Sequence, residues 1–551
     1  MRILQQSQSD VYPNLIDQLL KYLTPDNGEQ WTSQQSMHQL PEEEDQVRYV
    51  HNTFVSVIKE DRHAPNASEL TGLALVIVLI STSFFAMKPR VSPTSIRGAD
   101  PSIPARLSQI EAPGNLDMDV VTRAVSFFFS QYVHQPPTPC GKFQPGSFQY
   151  LPSLYARSRP DGPLVPIVHA AALASYANAG NVPHWTLESY RLCGLGILRC
   201  RHALGNLAER KSNEVLASIM LLAVYETIAL KGTRAMKTWS QHMLGAAAVI
   251  DFRGPGQFDD RSSVQIFLQI RRLIVLSAYQ LQQPVPFSLK KWSAWLEYAS
   301  IGEDYEVVYL ANRLSEIVET LASVRAFNKA PKTRGTGDIS SLLLPIDLML
   351  QSWRNQLPTS WLPRPRPACR CEGCFSRSHF EGMPFDAYPD LYVASLWNNY
   401  RGARILVHEM LLSTATPTSI TAITDDKELC PTINLLRQMS TEICLSVDYH
   451  LRPIPDDSFP DSIDHLKGIV TASIPGGELL IWPLFMAGML PTTSPARRMW
   501  ISDRLRQIGA NLGIGLALSM SQAMYNERDT TPFSHSELWA YDDCQAESAC
   551  P

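Results

Sequence analysis

The 551-residue chain has no excess of basic residues: 48 Lys and Arg stand against 53 Asp and Glu, a formal net charge of −5. A free-standing nucleic-acid-binding protein usually carries a basic excess, so this charge argues against that class. The ten cysteines are too few and too scattered for a disulfide scaffold, and the first residues do not form a basic-then-apolar secretory leader. The composition therefore indicates a reducing compartment.

The chain also has little of the alternating apolar and polar pattern that is typical of β-strands. It contains 40 prolines and only 28 glycines, which indicates many helix stops and rigid connections. The expected fold class is therefore mostly α: one large multi-helical domain with a poorly ordered acidic N-terminal arm.

Known catalytic motifs are missing. The sequence has no phosphate-binding loop, no Gly-x-Ser-x-Gly elbow, no His-Glu-x-x-His and no strand followed by a dinucleotide-binding glycine pattern. Residues 194–196 (Gly-Leu-Gly) and 513–515 (Gly-Ile-Gly) are isolated pairs inside helical patterns, and we interpret them as chance. His408 is followed one turn later by Leu412 where a zinc peptidase needs a second histidine. We therefore expect no enzyme activity, no catalytic residue and no cofactor.

The net negative charge lies at the front of the chain. Residues 1–69 hold 11 acidic and 5 basic side chains. We expect this arm to be disordered, because its Gln-, Ser- and Glu-rich sequence offers little apolar surface to bury. Within it, Val11 to Leu23 is amphipathic and would suit a docking helix. The arm is either an acidic partner-binding segment or a solvated leader.

Leu70 to Met87 is an 18-residue run without a charged side chain. As a helix it would be about 27 Å long, which is close to the shortest length that can cross a hydrocarbon core of about 30 Å. Lys88 and Arg90 follow it, so a span here would leave the C-terminal body in the cytoplasm. Its Thr, Gly and Ser residues dilute the apolarity, and the run equally suits a buried strand or core helix.

The apolar segment at 70–88 is followed by a Pro-, Ser- and Gly-rich linker (89–114), a helical body (115–526) and a polar tail (527–551). Periodicity in the body predicts helices at Met118–Tyr132, Leu164–Ala179, 212–230, 233–252, Val264–Leu281, Val307–Val324, Ile346–Leu357, Leu391–Leu412, Pro431–Tyr449, Glu478–Leu490 and Ala496–Met524. Gly180 is placed for a left-handed C-terminal cap. Leu362–His379 is predicted to be a Pro-, Arg- and Cys-rich loop.

The best-defined elements are the neighbouring helices 212–230 and 233–252. The first can be capped by Ser212 or Asn213 and is apolar on nearly every side, as a helix at the centre of a core would be. The second carries five predicted structural landmarks: Trp239, His242, Gly245, Arg253 and Gly254.

Each landmark has an expected role in the second helix. Trp239 should pack against the first helix. His242 and Gly245, three residues apart, lie on a face of the helix next to the Trp239 stripe. Because Gly245 has no side chain, another helix can approach closely there. Arg253 lies in the last turn, where the helix dipole favours a cation, and Gly254 should end the helix.

One local set could bind a metal ion: Cys369, Cys371, Cys374 and His379. Thiolates two and three residues apart can converge on one tetrahedral zinc ion. The set lacks a second paired Cys-x-x-Cys, and free cysteines in a reduced cell need no metal, so we expect a flexible basic loop without metal.

Six stretches of the body resemble the landmarks of the fungal-specific transcription factor domain, in that family's order. They are VTRAVSFFFSQYV (Val121–Val133), YLPSLY (Tyr150–Tyr155), WSQHMLGAAAVIDFRG (Trp239–Gly254), LWNNYRGARILVHEMLL (Leu396–Leu412), GGELLIWPLF (Gly476–Phe485) and RMWISDRLRQIGANLGI (Arg498–Ile514). This domain is the large helical regulatory region that normally follows a zinc binuclear cluster in fungal activators.

The resemblance implies a nuclear transcription regulator of a metabolic or specialised-metabolite pathway. Its partners would be other transcription regulators or a homo- or hetero-dimer partner, and an apolar pocket in the body would permit a small-molecule effector. Family members usually open with six zinc-binding cysteines, whereas the first cysteine here is Cys140. We therefore expect no sequence-specific DNA binding. Either the zinc cluster is absent or the gene model has lost it, with Leu70–Met87 as a misassigned exon or retained intron. The rival hypothesis is a membrane-anchored helical protein held by residues 70–87.

Overall fold

The computed structural model describes residues 120–133, 147–182, 184–229, 232–299, 305–329, 339–367, 384–415, 430–451 and 476–526. These residues contain fifteen α-helices and one two-stranded sheet, which confirms the expected mostly α fold. The predicted arm, apolar segment, linker and tail lie outside the described residues.

The helices are numbered in chain order. In order they are α1 (Val120–Tyr132), α2 (Leu151–Arg157), α3 (Leu164–Gly180), α4 (His184–Gly205), α5 (Asn213–Ala229), α6 (Gly232–Arg253), α7 (Arg261–Leu281), α8 (Phe287–Ala299), α9 (Tyr305–Lys329), α10 (Ser340–Asn355), α11 (Leu391–Ala415), α12 (Cys430–Leu451), α13 (Gly477–Met489), α14 (Pro495–Leu512) and α15 (Gly515–Asn526). Short 3₁₀ turns cover Pro255–Phe258 and Thr359–Trp361. Among the described residues, no helix combines the length and the apolarity needed to cross a membrane.

Helix α5 is a central element of the core, as its sequence predicted. Thirteen of its seventeen residues are buried, and it packs against α2, α3, α4, α6, α7 and α15. At its start, the Ser212 hydroxyl oxygen accepts a hydrogen bond from the backbone N–H of Val215 at 3.2 Å. Ser212 is therefore the capping residue, and it satisfies one of the helix's free N–H groups.

Two glycine assignments made from the sequence are wrong. The left-handed cap of α3 is Asn181, with a φ of 51°, and not Gly180, which is the last helical residue. Asparagine adopts this conformation more readily than most other non-glycine residues, so it can end the helix one residue further on. The predicted single helix Ala496–Met524 is in fact α14 and α15, because Gly513 breaks it with a φ of 69°.

Gly513 is required by its surroundings as well as by its backbone conformation. A Cβ atom at this position would lie 2.2 Å from the carbonyl oxygen of Ser175 in α3. The Ser175 hydroxyl donates a hydrogen bond to the carbonyl of Leu512 at 2.6 Å, and the Tyr132 hydroxyl donates to the same carbonyl at 2.9 Å. The glycine pair at 513–515, interpreted as chance, therefore marks the junction that holds α14 against α1 and α3.

Helix α4 was missed by the sequence analysis, because polar and glycine residues interrupt its apolar pattern. Its Gly196 packs against α3: an added Cβ atom would lie 2.2 Å from Cγ1 of Ile167. The second pair interpreted as chance, at 194–196, thus contains a close helix contact. Helices α2 and α8 were also missed.

The two-stranded sheet corrects the predicted loop at Leu362–His379. Strand β1 (Arg364–Arg366) pairs antiparallel with β2 (Phe385–Ala387), with Pro365 opposite Asp386. A three-residue strand with proline at its centre shows no alternating pattern, so it could not be predicted from its residues.

Candidate functional site

The landmark Trp239 is 3% exposed, and its ring lies nearly parallel to that of Trp482 in α13, with 6.3 Å between the ring centroids. It also shares a cavity wall with Val224 and Thr227 of α5. The sequence predicted a contact with α5, but it could not predict the ring contact with α13. Trp239 therefore joins elements that are more than 200 residues apart in the chain.

His242 and Gly245 lie on the buried side of α6. Nε2 of His242 is 3.3 Å from Oε1 of Glu226 in α5, and both side chains are fully buried. Gly245, one turn further, is also buried. The sequence did not identify Glu226 as the partner of His242, although an acid inside the apolar part of α5 was an available signal.

Arg253 and Gly254 close α6 in different ways. The Arg253 guanidinium donates hydrogen bonds to the carbonyl of Ser212 at 3.2 Å and to Oδ1 of Asn213 at 2.6 Å. It thereby connects the end of α6 to the start of α5. Burial lowers the pKa of Arg253 to about 10, with a nearby Asp260 opposing the shift. Gly254 has a φ of 74° and ends the helix.

The metal-ligand candidates Cys369, Cys371, Cys374 and His379, at which no metal is expected, lie outside the described residues. Within the part of the chain that the structure describes, no group of three or more His, Cys, Asp or Glu side chains is placed to hold a metal ion.

A cavity inside the body is the strongest candidate for a functional site. Its volume is about 90 Å³. A single water molecule needs roughly 10–15 Å³, so a small organic molecule would fit. We call it the larger cavity.

Helix α13 supplies one wall of the larger cavity. Glu478, Trp482 and Met486 recur every four residues, so they lie on one face of the helix, and all three line the cavity. Eleven of the thirteen residues of α13 are buried, and the helix packs against α11, α12, α14 and α15. Apart from the acid at one end, this wall is apolar.

A second, smaller cavity of about 60 Å³ adjoins the larger one. Arg272 of α7, Asn399 of α11 and Leu479 of α13 line both cavities and form their shared wall. Gln269 and Arg271 also line the smaller cavity, whereas Trp239, Trp482 and Met486 line the larger one. The two cavities therefore place amide and guanidinium groups close to an aromatic and apolar wall.

Arg272 in the shared wall and Glu478 on the larger cavity carry opposite charges, and no hydrogen bond joins them within the described residues. Burial raises the pKa of Glu478, and the Arg272 charge and a hydrogen bond with Ser147 oppose the shift only in part. Oε1 of Glu478 has no hydrogen-bond partner among the described residues. We call these two residues the open pair.

Another acid and arginine, in α10 and α11, are arranged differently. Arg404 donates from Nε to Oδ1 of Asp347 at 2.8 Å and from Nη2 to Oδ2 at 2.9 Å. Nε2 of His408 lies 3.2 Å from the same carboxylate. Burial alone would raise the pKa of Asp347, but His408 and Arg404 together hold it well below its ordinary value. We call Asp347 and Arg404 the closed pair.

Apart from Trp239, the sequence did not identify individual residues of the two cavities. Two signals were available: the adjacent arginines 271 and 272 in an amphipathic helix, and Glu478 at the head of a long apolar segment. Neither signal shows that α7 and α13 meet, so the site follows only from the three-dimensional structure.

Adjoining cavities lined by apolar side chains and a few polar groups are the usual form of a small-molecule binding site. Residues 134–361 match the model of the fungal specific transcription factor domain. The chain therefore carries a domain of this family, and the resemblance drawn from its sequence motifs is confirmed. The match begins after α1 and ends before α11, so the motifs at 121–133, 396–412, 476–485 and 498–514 lie outside it.

One curated relative is similar to part of the chain. It is "Transcription factor dbaG" of Emericella nidulans, 29% identical over 144 residues, which is 25% of this chain and 32% of the relative. The match thus spans about a third of the relative's length. No solved structure matches the chain.

Proposed function

We propose that the chain regulates transcription in a fungal nucleus through protein contacts made by its helical body. The observation that carries this proposal is the match of residues 134–361 to the fungal specific transcription factor domain. Similarity to a protein named as a transcription factor supports it. The regulated genes would belong to a metabolic or specialised-metabolite pathway, which rests on the family resemblance alone.

The partners in this proposal are other transcription regulators or a second copy of the chain. The acidic front, with 11 acids against 5 bases in residues 1–69, disfavours direct contact with DNA phosphates and suits a protein partner. In this proposal the DNA sequence is read by a partner.

A tethering assay tests the regulatory role. The chain is fused to a heterologous DNA-binding domain and directed to a reporter promoter in a fungal host. We expect reporter transcription to change relative to the DNA-binding domain alone.

Two glycine variants give that assay a matched control. Gly513→Ala introduces a Cβ atom against the Ser175 carbonyl and should abolish the effect, whereas Gly205 has open space around it, so Gly205→Ala should retain it. The proposal fails if the folded, nuclear fusion leaves reporter output unchanged, or if both variants act like the unmodified fusion.

A binding assay tests how DNA is read. We expect the purified 551-residue chain to show only weak, salt-sensitive binding to duplexes in fluorescence anisotropy, without sequence preference. Retention of one specific duplex at about 0.15 M salt against excess nonspecific competitor would contradict this.

The second candidate is membrane anchoring by Leu70–Met87, favoured by the absence of charge over 18 residues. This run lies outside the described residues. Cell fractionation separates the two candidates: a nuclear signal that carbonate extracts supports the regulator, and a carbonate-resistant membrane signal supports the anchor.

A further inference from the structure

The smaller cavity is lined by hydrogen-bond donors that lack an anionic partner. Gln269 is 7% exposed, and its Oε1 accepts a hydrogen bond from the backbone N–H of Phe148 at 3.1 Å. That bond fixes the orientation of the amide, so its NH₂ group is the free end. Nε2 of Gln269 has no hydrogen-bond partner among the described residues. A buried donor without a partner is costly, so this end of the cavity favours an acceptor.

Two arginines add positive charge to the same cavity. Arg271 donates hydrogen bonds to Oδ1 of Asn312 at 2.6 Å and to the hydroxyl oxygens of Ser293 and Ser315, each at 3.1 Å. These neutral partners hold the guanidinium in place without neutralising it, and the carboxylates of Glu319 and Glu316 act on it only through the longer-range field. No Asp or Glu is among the described residues that line this cavity.

Arg272 and Tyr392 complete the set of donors. The structure records no hydrogen bond from the Arg272 guanidinium to a described residue, so its side chain is free to turn toward a ligand. Tyr392 lines the smaller cavity, and burial raises its pKa to about 12, which keeps its hydroxyl protonated and able to donate. These donors and the two positive charges fit a carboxylate group.

The larger cavity fits the rest of such a molecule. Trp239 and Trp482 offer an aromatic wall, and Leu276 and Met486 add apolar surface. Glu478 lines this cavity and is hydrogen-bonded to Ser147 at the edge of the smaller one, so an anionic group is repelled on the Glu478 side and favoured at Arg271 and Gln269. The charges therefore set one orientation.

We propose that the two cavities together bind a small organic acid, with its carboxylate at Arg271 and Arg272 and its apolar or aromatic end against Trp239 and Trp482. This site goes beyond the proposed regulatory role, and its failure would leave the tethering result unaffected. A ligand held there would bridge α6, α7, α11 and α13.

Calorimetric titration of the full chain with 3-phenylpropanoate and with its neutral counterpart 3-phenylpropanamide tests the proposal. The two probes have the same size and differ in charge. We expect one site per chain and a preference for the acid of about tenfold or more.

Three variants locate that preference. Arg272→Gln should remove it, and Gln269→Glu, which brings a carboxylate among the arginines, should abolish binding of the acid while the amide still binds. Arg123→Gln, exposed on α1, should leave both affinities unchanged. Thermal unfolding shows whether each variant is folded. If Arg272→Gln is not folded, Gln269→Glu serves as the test.

Three results would overturn the proposal. The first is the absence of any heat of binding for the acid at roughly millimolar concentration. The second is equal affinity for the acid and the amide. The third is a preference for the acid that persists in a folded Arg272→Gln or Gln269→Glu variant.

Discussion

The closed pair Asp347–Arg404 and the open pair Arg272–Glu478 are both acid–arginine pairs inside one helical body, but their bonding differs. Two hydrogen bonds of 2.8 and 2.9 Å join the closed pair. No hydrogen bond joins the open pair within the described residues, and its carboxyl lines a cavity. The pKa directions follow this difference: that of Asp347 is lowered, and that of Glu478 is raised.

The difference shows what each pair does. A carboxylate whose oxygens both accept hydrogen bonds from arginine has offset its desolvation, so the closed pair stabilises the contact between α10 and α11. In the open pair, burial outweighs the attraction of the arginine. That arrangement costs stability in the free protein and leaves polar groups available to a ligand.

The largest expected effect tests the apolar wall beside the open pair. Trp239→Ala should lower the free energy of unfolding by about 4 kcal/mol, because a buried indole is lost from the contact with Trp482. Urea denaturation followed by circular dichroism measures it. Trp295 on α8 is 44% exposed, so Trp295→Ala should cost less than about 1 kcal/mol.

Arg253→Gln serves as a second reference for that measurement. Its hydrogen bonds to Ser212 and Asn213 predict a milder loss of about 1–2 kcal/mol. A Trp239→Ala protein with an unchanged melting temperature would remove the central evidence that α6 is a core helix.

The next effect tests the closed pair. Asp347→Asn should lower the free energy of unfolding by about 3 kcal/mol at neutral pH, because Arg404 loses its buried counter-charge. The folded-state pKa of Asp347 is depressed, so its contribution is present above the ordinary value of about 3.9 and is lost as pH falls below it. The difference in the free energy of unfolding between Asp347→Asn and the wild type should therefore become smaller at acidic pH. An equal gap at every pH would contradict the assignment.

A smaller effect comes from His450, a buried group without charge compensation. Burial lowers its pKa from 6.5 to about 4, and its Nδ1–H donates to the Ser446 carbonyl at 2.9 Å. His450 is protonated at a higher pH in the unfolded chain than in the folded one. The free energy of unfolding should therefore fall by about 2 kcal/mol as pH drops from 6.5 toward 4. His450→Gln should flatten this fall, as measured by urea denaturation across that range. A variant with the wild-type slope would show that other groups cause it.

Sequence reasoning succeeded where the signals are local. Helix α5 was predicted because its apolar residues are continuous and Ser212 can cap it, and these features need no knowledge of the rest of the chain. The end of α6 at Gly254 was predicted for the same reason. The family resemblance came from short motifs of this kind.

The sequence failed where a residue's role depends on a distant element. Gly513 looked incidental until the Ser175 carbonyl was placed against it. The open pair joins residues 272 and 478, and no spacing rule connects positions so far apart. The two cavities could not be predicted, because a cavity is a property of how helices α7, α11 and α13 meet.

The smallest effect is also the most direct test of the difference between the two pairs: the free energy of unfolding of Glu478→Gln at pH 7. The raised pKa of Glu478 means that its charged form is disfavoured in the folded state, so removing the charge should stabilise the protein by about 1 kcal/mol. This gain should shrink as pH falls and the wild-type carboxyl becomes protonated. A loss of stability similar to that of Asp347→Asn would contradict the account, because it would show that Glu478 is paired as tightly as Asp347.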